Sequence, residues 1–451
     1  MDESEGAPEL QRPPSARSAP FGAVGWTARA GWRGARPLVR TIRRRPRTAL
    51  GLLSALLLVA ALAPQLHLLG ASSHPRTQVK PTPTATPTLA PADPHALDWI
   101  HNLHTVAETA YVNDQMAHMS LDEKVGQLIL FEFLDNQMTP TIAAQIKQFH
   151  VGGAILYRWN VTDAAGVRQL DRDMQAQAKI PLLIATDQEG GLVDRLAFIQ
   201  GYHPSAEEMG ARNDPNYVRQ RGAEDGRELA SLGINMNFAP VVDVQNIPDG
   251  QSVMGSRMFG WTPDKVTSMA GAYLNGLQQD HQVVGALKHF PGLGSVPGDP
   301  HQGVVTLNRS VADMQKIDWA PYRALFTTGQ VQCVMTTHLD VPAIDPGVPT
   351  TLSYKVTTGA LRDTLGFQGV IITDGIYMKA LGSRYSFEQI ILGSILAGND
   401  LIASTYSYAS TEQAFNILKA AVADGRISGE RLDASVRRIL FLKLHMGLLT
   451  P

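Results

Sequence analysis

Short apolar runs alternate with amphipathic segments over most of the chain. The runs typical of buried strands lie at 128–133, 153–157, 181–186, 234–242, 283–288, 332–337, 369–373 and 400–403. Segments with helical periodicity lie between them, among them 163–178, 216–232, 262–279 and 311–328. This alternation predicts an α/β fold, a (β/α)₈ barrel of the TIM type. An open, doubly wound sheet is the alternative that counting strands leaves open.

Polar residues stand at the ends of these runs and favour the barrel. Asp187, Asp243, Lys288-His289, His338 and Asp374 each lie at or just after the C-terminal end of one apolar run. A barrel brings those ends together on one face, where barrel enzymes carry their chemistry. The competing interpretation is that strand ends simply meet water there, but ionisable groups rarely recur at such positions without a function.

The N-terminal part has a different composition. Segment 48–70 is apolar and contains no Asp, Glu, Lys or Arg, and five arginines precede it at positions 40, 43, 44, 45 and 47. We predict a transmembrane signal anchor at 48–70, with a basic, disordered cytoplasmic tail at 1–47 and an extracytoplasmic domain beyond it. The alternative is a secreted protein whose signal peptide is cleaved near Ala61-Leu62-Ala63, although Pro64 follows that site directly.

A Pro/Thr-rich stretch separates the apolar segment from the folded part. Residues 80–94 alternate proline with threonine, a pattern typical of an extended spacer, so 71–97 is predicted to be a linker. A single catalytic domain is predicted at 98–451, beginning with a helix at 98–119. Ser120 and Glu123 have the spacing of a capping box that opens the next helix.

Composition and motif searches exclude several classes of protein. Cys333 is the only cysteine among 451 residues, so the chain has no internal disulfide and no cysteine-cluster metal site. The sequence contains no P-loop, no His-Glu-x-x-His and no Gly-x-Ser-x-Gly, the motifs of nucleotide-binding proteins, zinc proteases and serine hydrolases. The basic tail precedes an apolar segment, which favours a membrane over nucleic acid as its partner.

Two loops carry groups suited to binding sugar hydroxyls. Asp187-Gln188-Glu189-Gly190-Gly191 continues to Arg195, and its paired glycines permit a tight loop after a strand. Arg257 stands between glycines in the loop 255–260. Carboxylates and guanidinium groups together offer hydrogen-bond acceptors and donors. Each loop taken alone is equally compatible with a structural turn.

A third loop begins at Lys288-His289 and continues to Asp299-Pro300-His301. Asp299 and His301 are two residues apart, so a turn would let the carboxylate bind one ring nitrogen and fix the tautomer. The other nitrogen would then be available as a general acid and base. An incidental turn at Asp-Pro is the alternative, and spacing alone does not separate the two.

Asp374 ends the apolar run 369–373 and precedes Gly375. A carboxylate mounted on a buried strand beside a glycine is well placed to be a nucleophile, whereas the competing interpretation is a helix N-cap. A nucleophilic carboxylate together with a separate acid/base group is the minimum for retaining glycoside hydrolysis.

These motifs, in this order, resemble glycoside hydrolase family 3, and in particular its single-barrel bacterial β-N-acetylglucosaminidase (β-N-acetylhexosaminidase) branch. The resemblance covers about residues 110–450 and rests on 187–195, 237–243, 255–260, 288–294 and 373–374. It departs from the family pattern in three places. Leu192 replaces an arginine, Leu293 replaces a histidine, and Pro300 replaces a serine.

The resemblance implies specific roles. Asp374 corresponds to the nucleophile, His301 to the histidine acid/base and Asp299 to its orienting partner. The residues that correspond to the family's sugar-binding groups are Asp187, Arg195, Arg257, Lys288 and His289. The resemblance implies no metal and no organic cofactor.

The expected function is therefore exo-hydrolysis of terminal N-acetylglucosamine from cell-wall or chitin-type glycans, by a monomeric catalytic domain involved in peptidoglycan turnover. Two further enzyme activities stay open, a β-glucosidase or xylosidase and a phosphorylase that uses phosphate in place of water. From another class of protein, a weakly active wall-glycan-binding protein is the alternative, although such a protein would need no nucleophile.

Overall fold

The computed structural model describes residues 104–248, 252–280 and 282–451. Its centre is a ring of parallel strands in which each strand pairs with its neighbours in sequence. We label these barrel strands β1 to β8. Their bounds are Ile129–Glu132, Gly153–Leu156, Leu183–Thr186, Met236–Asn237, Val284–Phe290, Cys333–Thr336, Val370–Thr373 and Ile402–Thr405.

The ring closes between its last two strands. A parallel bridge joins Ile372 to Leu401, and the Thr373 N–H donates to the Leu401 carbonyl at 3.0 Å. Strand β8 also pairs with β1 along the register Ile129–Ile402. The strand order never reverses, so the predicted (β/α)₈ barrel is confirmed and the doubly wound alternative is wrong.

Helices surround the barrel, and most begin at a residue that caps them. The predicted capping box is present: Ser120 Oγ accepts from the Glu123 N–H, and Glu123 Oε2 accepts from the Ser120 N–H at 2.8 Å. The α-helices span Val106–His118, Leu121–Gly126, Pro140–Phe149, Ala164–Gln175, Ala197–Gln200, Ala206–Arg212, Pro215–Ser231, Pro263–Leu277, Val311–Lys316, Ala320–Phe326, Lys379–Gly382, Phe387–Ala397, Tyr408–Ala423 and Gly429–His445. A π-helix spans Lys355–Thr364, and 3₁₀ turns lie at Arg158–Asn160, Gly255–Arg257 and Thr350–Leu352.

Small strands lie outside the barrel and shape the loops at its carboxyl face. Gln188–Gly190 and Val193–Asp194 form an antiparallel hairpin directly after β3. Leu339–Val341 pairs with Val305–Thr306 and with Asp345–Pro349. These pairings give the loops after β3, β5 and β6 a fixed backbone.

Two predicted elements differ from the structure. Segment 311–328 is two helices, because the chain turns at 317–319 to bury Asp318, whose carboxylate accepts from Ser295 Oγ and Arg309 Nη1. Strand β4 is shorter than the predicted 234–242, since Pro240 has no N–H to donate to the sheet.

The barrel strands are buried on both faces, which explains their uninterrupted apolar runs. Aromatic side chains fill the space beneath the loop after β5, where Phe290 packs against Trp319 and Tyr322 with ring centroids 5.8 and 5.3 Å apart. The chemistry of the site therefore rests on a packed core.

Predictions for residues 1–103 lie outside the described residues. These are the basic tail at 1–47, the anchor at 48–70, the linker at 71–97 and residues 98–103 of the helix predicted at 98–119. Within the described residues, that helix spans Val106–His118, because Thr105 has an extended backbone and is the N-cap, so the prediction is wrong for residues 104 and 105. In residues 104–248, 252–280 and 282–451, no helix combines the length and the apolar character that crossing a bilayer requires.

Candidate active site

A pocket opens at the carboxyl face of the barrel, with an empty volume of about 760 Å³ that includes its open mouth. All but one of the candidate residues line it, and Asp299 joins the site through His301. The lining candidates are Asp187, Arg195, Arg257, Lys288, His289, His301 and Asp374. The structure thus brings together residues from β3, β5, β7 and the loop after β4.

One side of the pocket is a buried ionic cluster. Lys288 Nζ lies 2.7 Å from Asp187 Oδ1 and 2.5 Å from Glu189 Oε1, and the lysine side chain is 2% exposed. Arg257 donates through Nε and Nη2 to the two oxygens of Glu189 at 2.7 and 2.8 Å. Burial alone would raise the pKa of Glu189, but Arg257 and Lys288 hold it well below its usual value.

Glu189 is therefore the centre of the cluster, and the sequence interpretation gave it no role of its own. Its motif was recognised, but its partners lie in strand β5 and in the loop after β4. Lys288 contacts Asp187 through Oδ1, so the other oxygen of the Asp187 carboxylate is not occupied by this lysine. Arg195 Nη2 lies 3.8 Å from that oxygen, Asp187 Oδ2.

The hairpin after β3 presents these groups, and its glycines are required. A Cβ on Gly190, whose φ is +82°, would lie 2.2 Å from the Pro204 carbonyl oxygen. Gln188 braces the hairpin, because its Nε2 donates to Asp194 and its Oε1 accepts the N–H of Arg195 at 3.0 Å. Leu192 lies exposed beside the tip of this hairpin and does not line the pocket.

Asp243 organises the loop that begins at His289. Its Oδ2 accepts from His289 Nδ1 at 2.7 Å, and its Oδ1 accepts from the Leu293 N–H at 2.6 Å. The contact at position 293 is made by backbone, so a leucine there preserves it.

Asp374 lies at the end of β7 in a position suited to attack. Its Oδ1 accepts from the Gly375 N–H at 2.8 Å and its Oδ2 from Thr337 Oγ1 at 3.2 Å. Burial acts to raise the pKa of Asp374, but His289, His338 and His301 outweigh it and keep the pKa below its usual value. The helix that follows begins after Met378, so the N-cap interpretation of Asp374 is wrong.

The loop after β5 carries Asp299 and His301, the pair that the sequence suggested as a general acid/base and its orienting partner. His301 Nδ1 lies 2.8 Å from Asp299 Oδ1, which also accepts the His301 N–H at 2.9 Å. The Ala380 N–H donates to the Pro300 carbonyl at 3.2 Å and joins this loop to the segment after Asp374. The His301 side chain is 54% exposed. The predicted hydrogen bond between Asp299 and His301 is therefore present.

Three further residues shape the site. His338 is buried, and its Nε2 lies 3.0 Å from the Gly375 carbonyl, so it supports the backbone beside Asp374; burial lowers the pKa of His338. Tyr157 and Tyr377 also line the pocket, and Arg195 lies 5.9 Å from the centroid of the Tyr157 ring. Both tyrosines follow strand ends, which is the signal by which the sequence could have shown them.

One cluster outside the pocket offers metal-ligating atoms. The ligand atoms of His203, Asp225 and Glu228 lie within 4.8 Å of one another. The His203 ring already lies 2.9 Å from Asp194 and 2.7 Å from Glu228 through its two nitrogens. Burial acts to lower its pKa, but Asp194 and Glu228 raise it to about 9. A doubly protonated ring is a donor, so the cluster is an ion-paired brace behind the hairpin rather than a metal site.

Comparison with known proteins identifies the family of this chain. Residues 120–442 match the profile of the glycosyl hydrolase family 3 N terminal domain. The chain belongs to this family.

Several family 3 proteins are similar over most of the barrel. The chain is 33% identical over 372 residues to beta-hexosaminidase LpqI of Mycobacterium tuberculosis, covering 80% of this chain and 92% of that protein. It is 32% identical over 351 residues to a beta-N-acetylglucosaminidase/beta-glucosidase of Cellulomonas fimi, covering 75% of this chain and 60% of that one. The solved family 3 beta-N-acetylglucosaminidase of Paenibacillus sp. superposes with a TM-score of 0.71 at 35% identity, over 74% of this chain and 64% of that chain. The protein is a glycoside hydrolase of family 3.

Proposed function

We propose that this family 3 protein is an extracytoplasmic, retaining exo-β-N-acetylglucosaminidase. The observation that carries the proposal is the pairing of His301 with Asp299 in the pocket that also contains Asp374. The names of its relatives support the same substrate. We assign Asp374 as nucleophile, His301 as acid/base and Asp299 as its orienting partner.

In the first step, an Asp374 oxygen attacks the anomeric carbon of the terminal sugar and forms an ester bond to it. The bond from that carbon to the glycosidic oxygen breaks, and His301 Nε2 gives its proton to the departing oxygen. Asp299 holds Nδ1, so the transferable proton sits on Nε2. The lowered pKa of Asp374 keeps the nucleophile ionised at neutral pH.

In the second step, water attacks the anomeric carbon of the glycosyl-enzyme from the side that the leaving group vacated. Neutral His301 Nε2 takes a proton from that water, and the bond to Asp374 breaks. Two inversions leave the sugar in its original β configuration. Atoms and charge balance over the cycle, because His301 ends protonated and Asp374 ends ionised.

The ionic cluster would hold the non-reducing sugar during both steps. Asp187, Arg195, Arg257, Lys288 and His289 project into the same side of the pocket. Since the cluster is already paired, the sugar hydroxyls meet groups whose positions are fixed before binding. The packed barrel beneath limits the pocket to the end of a glycan chain.

The expected anchor at 48–70 would place this site outside the cytoplasm, close to cell-wall glycans, with 71–97 as a spacer. Segment 48–70 has the composition of an anchor, and a cleaved segment would release the same enzyme.

An aryl glycoside panel tests the proposal. The full-length protein should hydrolyse the β-N-acetylglucosaminide in preference to the β-glucoside and β-xyloside, and NMR should show the β-anomer as the first product. Asp374→Ala should lower kcat by about a thousandfold or more. Folded protein that leaves the N-acetylglucosaminide intact would refute the proposal, and sugar 1-phosphate formed in phosphate buffer would indicate a phosphorylase.

A further inference from the structure

The wall of the pocket includes two tyrosines, and the proposed mechanism gives neither of them a role. Tyr157 follows β2, Tyr377 follows Asp374, and both line the pocket. The ring of Tyr157 stacks on Trp159 with centroids 4.7 Å apart and planes 20° apart. The aromatic surface therefore extends beyond the residues that line the pocket to the exposed ring of Trp159.

Trp159 is exposed and yet fixed in orientation. Its indole Nε1–H donates to the Phe133 carbonyl at 2.9 Å, while its ring rests on Tyr157, and 48% of the residue remains exposed. The neighbouring Asn160 braces the same turn, because its Nδ2 donates to the Phe133 carbonyl at 2.9 Å and its Oδ1 accepts the Tyr157 N–H at 2.7 Å. A large, rigid apolar surface facing solvent beside a pocket is suited to binding a ligand.

Two more exposed rings extend this surface. Tyr377 is 46% exposed and Tyr406, in the loop after β8, is 58% exposed; their centroids lie 6.4 Å apart in an edge-to-face arrangement. Tyr377 also lies between Asp374 and Ala380, whose N–H holds the loop that contains His301. The rings thus border the segment that joins the proposed nucleophile to the proposed acid.

We propose that Trp159, Tyr377 and Tyr406 form an aglycone subsite that stacks on the pyranose ring on the reducing side of the scissile bond. This inference rests on the proposed function. A substrate whose terminal sugar fills the pocket must pass its next sugar out through the mouth, where these rings continue the pocket wall. The flat faces of aromatic rings match the apolar C–H faces of a pyranose and need no charge to bind them.

Two substrates test the subsite. N,N′-diacetylchitobiose has a second pyranose ring, whereas N-acetyl-β-glucosaminyl azide has none. Trp159→Ala in the full-length protein should lower kcat/KM for the disaccharide about tenfold, mainly through KM, and change that for the azide less than about twofold. Trp159→Phe should retain most of the activity on the disaccharide, since it keeps an aromatic face. Tyr406→Ala should show the same selectivity as Trp159→Ala.

Trp261→Ala is the matched control, because Trp261 is 54% exposed and belongs to neither the Tyr157–Trp159 nor the Tyr377–Tyr406 ring pair. It should leave both substrates unaffected. Equal losses on the two substrates, or no loss on the disaccharide in Trp159→Ala and Tyr406→Ala, would overturn the subsite. Wild-type turnover of the azide tests the proposed function separately, because that substrate offers the rings nothing to stack on.

Discussion

The two halves of the pocket are built in different ways. On the side that we propose to bind the sugar, Lys288 contacts a carboxylate 101 positions away and Arg257 contacts one 68 positions away, in both cases in buried surroundings. On the side of the proposed acid/base, His301 binds a carboxylate two positions away and is more than half exposed. One half depends on the tertiary fold, and the other is largely a local turn.

This difference suits the two tasks that we propose. Groups that would bind sugar hydroxyls act best when they are fixed beforehand, and buried ion pairs between strand β5 and the loops after β3 and β4 fix them. An acid/base must reach first the leaving oxygen and then a water, so a solvent-exposed ring on a local turn serves it well. Loss of a group should therefore affect both folding and activity in the first half, but only activity in the second.

Lys288→Met should have the largest effect. The substitution removes the cation nearest to Asp187, and it leaves Arg257 as the remaining cation beside the buried Glu189. Breaking a buried ion pair costs about 3–5 kcal/mol of unfolding free energy. We expect a loss of that size in urea unfolding and a fall in kcat/KM of about a thousandfold.

The control is Lys316→Met, which removes an exposed lysine outside the pocket and should change neither quantity. If Lys288→Met kept wild-type stability, the ionic cluster would not be the structural half of the pocket.

His301→Ala should have the next largest effect, and it should lower activity without changing stability. Loss of a general acid costs roughly a hundredfold or more for a substrate with a poor leaving group, and less for a dinitrophenyl glycoside, which departs without protonation. The melting temperature of the His301→Ala variant should stay at the wild-type value, because the His301 side chain is more than half exposed. His118→Ala is the control, because the His118 side chain is 77% exposed and lies at a helix end outside the pocket. A loss that is equal for both leaving groups would remove His301 from the acid role.

The same contrast explains what the sequence could predict. The spacing of Asp299 and His301 allowed a bond between them to be predicted as one of two alternatives, and the strand-end positions of Asp187, Lys288 and Asp374 follow from apolar runs. The role of Glu189 could not be predicted, because its partners are distant in sequence and meet it only once the barrel has closed. The break in 311–328 was missed for a related reason: Asp318 is turned inward by Ser295 and Arg309.

His203 extends the comparison to the support behind the hairpin. Its ring is held between Asp194 and Glu228, which raise the pKa to about 9 against desolvation by burial. A group whose pKa rises on folding contributes stability that is complete below its unfolded pKa, about 6.5, and is lost as the pH rises towards 9.

His203→Gln should therefore lower the unfolding free energy by about 1–3 kcal/mol at pH 6, and by less at pH 9.5. Urea unfolding at both pH values measures the loss of unfolding free energy. Subtracting the variant from the wild type cancels the contributions of the other titrating groups. A deficit that does not shrink between the two pH values would show that the ring is not charged in the folded state.

Pro300→Ser should have the smallest effect and tests how local the acid/base half is. The contact to Ala380 uses the carbonyl of residue 300, and Asp299 holds both the ring and the N–H of His301, so a serine leaves every one of these bonds in place. Proline restrains its own φ and the residue before it, and this residue also lines the pocket. We expect kcat/KM to change less than about threefold, as for the control Pro297→Ser at an exposed position of the same loop. A tenfold change in Pro300→Ser alone would mean that the proline itself, through its backbone restraint or its place in the pocket wall, and not the hydrogen bonds to Asp299, sets the position of the proposed acid.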